Sequence, residues 1–205
     1  MEKRRSFPVL GLQGMDDHPV EIRGFTLVEV LVASVVLLIG VVAVAGLIGS
    51  TLGSTSRSGY MNQAASLATE KLEDLNRYPR SAPQVTVNGS SVGSLTSDVI
   101  SGGIPYYDEV YFSPSQGGVE ETTAGLDSNG NTTYTTTTFT PGGQVSTSAP
   151  SSTPPGVAGE TAYERRWVIE QDVPVTGVRR VTVLVTLVNQ TIQPPVTFQM
   201  SMVRP

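Results

Sequence analysis

The first long pattern along the chain is apolar and has no polar face. From Val30 to Gly49 no side chain is charged, and only Ser34 carries a hydroxyl. Roughly 20 such residues, rising about 1.5 Å each, match a bilayer core of about 30 Å. A helix that is apolar all round reads as a membrane span rather than a half-buried surface helix. From Tyr60 the pattern changes. Tyr60, Ala64, Leu67, Ala68, Leu72 and Leu75 recur at three- and four-residue spacing, with Asn62, Gln63, Ser66, Glu70, Glu73, Asp74 and Arg77 opposite them. This predicts an amphipathic helix whose stripe needs a sheet, supported on its polar side by a Glu73–Arg77 pair one turn apart. No proline falls between Phe25 and Tyr78, so the two patterns read as one helix. Gly46, Gly49 and Gly53 loosen it, and Pro79 ends it near Tyr78.

The C-terminal third alternates with period two. Val196, Phe198, Met200 and Met202 face one way, Thr197, Gln199 and Ser201 the other. Val181, Val183, Val185 and Leu187 share one face of a second strand. "YERRWVIEQ" makes a third, with Trp167 as a core anchor. Pro174 and Gly177 turn the chain between these last two; Pro194 and Pro195 break it before the final strand. The patterns predict an α+β fold. A long N-terminal helix, membrane-spanning and then amphipathic, packs on a small C-terminal antiparallel β-sheet of three strands. Residues 113–160, with "TTYTTTTFTPGGQVSTSAPSSTPPG", read as a loose Ser/Thr/Gly/Pro-rich insertion. Its Thr-rich part can form an exposed strand, and its Pro-rich part an irregular loop. It is either a partner-facing surface or a tolerated loop.

Composition narrows the function classes. The chain has 205 residues, a net charge of -5, 15% charged residues and no cysteine. Disulfides, thiol catalysis and cysteine metal sites are thereby excluded. The one histidine, His18, precedes the apolar segment, which leaves no histidine for a triad or zinc site beyond it. The acidic balance argues against nucleic-acid binding through a basic surface. Arg165, Arg166, Arg179 and Arg180 are expected to pair with Glu164, Glu170 and Asp172 along one hairpin. "DSNGN", residues 127–131, lacks the spacing of an EF-hand and reads as a turn. The N-x-Ser/Thr triplets at Asn88, Asn131 and Asn189 arise readily by chance in such a composition and carry no assigned function. No cofactor and no enzymatic activity are expected.

Lys3, Arg4, Arg5 and Arg23 precede the apolar run, and the next basic residue is Arg57. Orientation follows Lys and Arg, so the N-terminus belongs in the cytoplasm and the C-terminal part on the far side. A secretory signal has its small-residue cleavage site after the apolar core. Here the small residue, Gly24, stands before it. "GFTLVEVLVA", Gly24 to Ala33, resembles the class III signal of type IV prepilins and type II secretion pseudopilins. That resemblance implies cleavage between Gly24 and Phe25 by prepilin peptidase, and N-methylation of Phe25. It also assigns a subunit-assembly role to Glu29, the fifth residue after the cut. "AASLATEKLEDLNRYP" resembles the segment after the membrane in minor pilins of the PilV and GspI kind.

The expected organisation is a leader over 1–24, a transmembrane and polymerisation helix over 25–53, its amphipathic half over 54–78, and a globular β domain over 79–205. The expected function is that of a minor pilin, at initiation or at the tip of a type IV pilus-like fibre. A pseudopilin of a type II secretion system is the alternative within the same fold. A signal-anchored surface binding domain that never polymerises is the alternative of another class. The resemblance further implies the inner membrane, prepilin peptidase, other pilins or pseudopilins and a pilus assembly machinery as partners. The mature protein would lie in the inner membrane and then in a periplasmic or cell-surface fibre.

Overall fold

The computed structural model describes residues 24–112, 118–154, 161–188, 192 and 194–205. Residues 1–23 of the expected leader, parts of the 113–160 segment and the Asn189 triplet lie outside them. One long helix, α1 (Leu27–Arg77), is followed by a short 3-10 turn (Pro83–Val85) and ten strands. The strands are β1 (Ser91–Gly93), β2 (Ile100–Ser101), β3 (Ile104–Pro105), β4 (Tyr107–Phe112), β5 (Val119–Leu126), β6 (Thr132–Phe139), β7 (Val145–Thr147), β8 (Thr161–Gln171), β9 (Arg179–Leu187) and β10 (Thr197–Arg204). The chain forms two compact units, residues 1–49 and 50–205, and α1 belongs to both.

In the first unit the described residues, 24–49, are all exposed. Leu31, Leu37, Leu38, Ile39 and Leu47 each expose more than half of their surface. An apolar surface of this extent in water would be strongly unfavourable, and it is the surface a bilayer covers. The helix is long and apolar enough to cross a membrane.

The second unit is an α+β domain in which the 50–77 part of α1 packs on an antiparallel sheet. The predicted stripe is the observed one: Ala64, Leu67, Ala68, Leu72 and Leu75 are buried, and Tyr60 packs at the margin. They meet Val181, Val183, Val185 and Leu187 of β9, Tyr163, Trp167 and Ile169 of β8, Val110 of β4, and Val196. The helix stops at Arg77, two residues before Pro79, as the restriction on pre-proline residues requires. Among the described residues no ion pair joins Glu73 to Arg77. Tyr163 donates to Gln63 Oε1 at 2.8 Å, and Arg57 donates to the Pro194 carbonyl at 3.0 Å, fastening the helix at its upstream end.

The sheet is larger than the periodicity predicts. It has eight strands in the order β10-β9-β8-β4-β5-β6-β7, with β1 also paired to β8. The three expected strands form one side of it; the 113–160 segment supplies most of the other. Residues 119–126, 132–139 and 145–147 extend the sheet rather than form a loop outside it. Thr-rich strands satisfy the ladder while leaving both faces half exposed, so they show no burial alternation for a pattern to reveal. The Pro-rich part is irregular where described, held by a bridge between Tyr134 and Ser151.

Two turns explain the local chemistry. In the β5–β6 hairpin Asp127 Oδ1 accepts from the backbone N–H of Asn129 and Asn131, each at 2.8 Å, which makes "DSNGN" a turn. Between β8 and β9 the chain passes a cis Val173–Pro174 bond, and Asp172 Oδ1 accepts from the Gly177 N–H at 2.7 Å. Gly93 answers a close approach: φ is +84°, and a Cβ there would sit 2.2 Å from the Trp167 carbonyl oxygen. Only glycine lets β1 lie against β8 at that point.

Candidate assembly site

The N-terminal motif forms the first turn of α1. Thr26 precedes the helix, and its Oγ1 accepts from the Glu29 backbone N–H at 3.2 Å. The Thr26 carbonyl accepts from the Val30 N–H, also at 3.2 Å. Thr at the cap and Glu three residues later is the capping-box spacing, and Thr26 here supplies its half of it. The Glu29 carboxylate lies in the first turn, where the helix dipole favours an anion. Among the described residues it has no ion pair, and Phe25 is 81% exposed. Gly24 and Phe25 thus lie just before the helix and Glu29 in its first turn, all exposed, and among the described residues no partner meets the Glu29 carboxylate. Thr26 is the residue that sequence reasoning missed; the T-x-x-E spacing before an apolar run was the available signal.

A second constellation fixes the helix to the sheet. Arg165 and Asp108 face each other across β8 and β4. Arg165 donates to Asp108 through Nε at 2.6 Å and Nη2 at 2.9 Å, and to Glu121 through Nη2 at 2.6 Å. Lys71 of α1 reaches Asp108 Oδ2 at 2.8 Å and stands 4.3 Å from the centre of the Trp167 ring. Two cations and two carboxylates balance, which is the condition for holding charges inside a core. Burial alone would raise the Asp108 pKa, but Arg165 and Lys71 hold it down at about 2. Burial raises Glu121 despite Arg165 beside it, while burial of Arg165 is outweighed by Asp108, which raises that group. The cluster has no nucleophile paired with a base. Its geometry sets the position of Lys71, and with it the helix, against the strands.

These positions correct the expected arginine pairing. Arg180 does meet Glu170 at 2.7 Å, and Arg166 meets Glu164 at 2.5 Å, with Asp98 added at 2.9 Å. Arg165 instead turns inward, because it shares the core-facing parity of Tyr163, Trp167 and Ile169. Arg179 donates to the backbone carbonyls of Arg80 and Val85, and Asp172 is engaged by Gly177. On the outer face Glu164 lies directly opposite Glu109. Burial raises the Glu164 pKa to about 7; Arg166 opposes this, and Asp98 and Glu109 add to it.

Comparison with known proteins agrees with the N-terminal reading. Residues 22–45 match the family model of the prokaryotic N-terminal methylation motif. No curated protein and no solved structure matches the chain. The match covers the cleavage motif and most of the apolar part of α1, and the remainder of α1 packs on an antiparallel sheet, so the chain joins a prepilin-type N-terminal motif to an α+β, pilin-like fold.

Proposed function

We propose that this chain is a minor pilin that enters a type IV pilus-like fibre and acts at its initiation or tip. Prepilin peptidase cleaves between Gly24 and Phe25 on the cytoplasmic side, and the Phe25 amine is methylated. The observation that carries this reading is the motif match at 22–45 on a helix that is apolar and uncovered beyond Glu29. Cleavage before the apolar run leaves the helix on the mature protein. Thr26 remains too, so the cap of the first turn survives processing. The subunit waits in the inner membrane with 25–53 as its anchor, and an assembly machinery then draws it into a bundle of such helices.

Glu29 acquires its role at that step. A carboxylate within an apolar bundle is costly unless paired. In staggered helices the Phe25 amine of a neighbouring pilin meets Glu29, neutralising both charges and fixing the register. The work of the protein is assembly rather than chemistry. The test is Glu29→Ala. Membrane insertion should persist while incorporation into sheared fibres, read by immunoblot, is lost. Unchanged incorporation would remove Glu29 from the account.

A further inference from the structure

Of the nine basic side chains from Arg57 onward, four are tied into ion pairs, and three of the other five lie near one another. Lys71, Arg165, Arg166 and Arg180 each meet a carboxylate. Arg80, Arg179 and Arg204 meet none within 4 Å among the described residues. Arg179 and Arg204 lie directly opposite each other on β9 and β10, Arg179 reaches the backbone of Arg80 just after α1, and each of the three donates to a backbone carbonyl. Arg204 donates to Leu75 at 3.2 Å and to Tyr78 at 3.0 Å. Arg179 donates through Nη1 to Arg80 and to Val85, each at 2.8 Å, and Arg80 donates to Gly177 at 2.9 Å. The Arg204 bond to Leu75 satisfies one of the last carbonyls of the helix, and the others tie the guanidinium groups to the turn and strand that follow it. They neutralise no charge. Each guanidinium has five N–H donors, so every one of the three retains free donors. The Arg179 Nε is buried without a partner. Desolvation, then Arg80 and Arg204, lower the Arg179 pKa, so the three cations repel one another where they are held.

A pre-positioned arginine triad with free donors and no counter-ion is the arrangement that binds a tetrahedral oxyanion. We propose that Arg80, Arg179 and Arg204 form a binding site for a single phosphate group, either free phosphate or the phosphoryl end of a lipid headgroup. A nucleic-acid strand is disfavoured, because a strand needs a basic track, and this is one spot on a chain of net charge -5. The site is independent of the N-terminal motif, so it stands or falls apart from fibre assembly.

The full chain in non-ionic detergent would be titrated with inorganic phosphate, with glycerol 3-phosphate as the headgroup probe, and with chloride at matched ionic strength, reading thermal midpoint and calorimetric heat. Phosphate should raise the midpoint at concentrations where chloride does not, and Arg80→Gln should weaken binding by ~10-fold. Arg80 is exposed and makes one backbone bond, so its variant keeps the test open where Arg179→Gln or Arg204→Gln fails to fold. Arg166→Gln, from a paired arginine, should bind as the parent does. Tighter binding of glycerol 3-phosphate than of phosphate assigns the site to lipid headgroups, and the reverse order to the free ion. A midpoint that follows ionic strength alone, or an Arg80→Gln variant that binds unchanged, would overturn the proposal. So would duplex DNA binding with a salt dependence of many released ions.

Discussion

Removing the Asp108 carboxylate leaves two cations, Arg165 and Lys71, with Glu121 alone to balance them in a site where Arg165 is 1% exposed. Asp108→Asn is therefore expected to lower domain stability by ~3–5 kcal/mol, the range for breaking a buried ion pair from one side. Chemical unfolding of the full chain in detergent, followed by Trp167 fluorescence, measures it; a loss within error of zero would mean the cluster is not coupled to folding. Acid gives the same group a second signature. The folded pKa of Asp108, about 2, lies below its ordinary 3.8. Its contribution is complete above the higher value and is lost as pH falls through the lower one. Glu164 has the opposite sign, since its folded pKa of about 7 exceeds its ordinary 4.5. The folded state there holds a proton more tightly, so stability rises as pH falls from about 7 toward 4.5. Glu164→Gln should flatten that rise in a series of unfolding midpoints between pH 5 and 8, and leave the limb below pH 4 intact.

At the scale of elements, α1 and the three strands β8, β9 and β10 were legible because their apolar residues keep one period over a long run. Leu67, Leu72 and Leu75 show the rule, and Leu72→Ala should cost ~2–5 kcal/mol by opening a cavity against the sheet. A cost of that size in the same unfolding assay would confirm that the stripe, not helix propensity, holds the helix in place. The candidate site was legible to a different degree. Gly24, Phe25 and Glu29 stand in a contiguous motif that any pattern exposes. Lys71, Asp108, Arg165 and Glu121 come from four elements, and two of them break the apolar pattern of their own element. Lys71 lies between Leu67 and Leu75 on the buried stripe, and Arg165 between Tyr163 and Trp167. Spacing alone marked both as inward, but their charge argued for solvent until a partner could be named. Of the remaining long strands, β6 matches the exposed Thr-rich strand that the sequence allowed, whereas β5 was hidden and neither could be placed in the sheet, for a simpler reason. The segments "VEETTAGL" and "TTYTTTTF" carry Glu and Thr where an alternating apolar face would show, and the ladder that orders them is made by backbone groups that no side-chain pattern reports.

At the scale of the whole molecule, two surfaces solve two different problems. Residues 24–49 present an apolar and uncovered surface, which a bilayer or a bundle of like helices removes from water. The second unit packs its apolar stripe against its sheet, with the buried charges of Lys71, Asp108, Arg165 and Glu121 paired among themselves. On the proposed function, residues 25–53 serve assembly and the β domain is displayed. A variant with the apolar helix shortened by a turn should keep the pH profile and unfolding midpoint of the domain while losing its place in the fibre. The proposed assembly role depends on one covalent event, cleavage at Gly24–Phe25. Intact-mass and peptide mass spectrometry of the protein recovered from its native membranes tests that event directly. The account predicts a mature chain that begins at Phe25 with one added methyl group on its amine. Recovery of the chain with residues 1–24 still attached would contradict it.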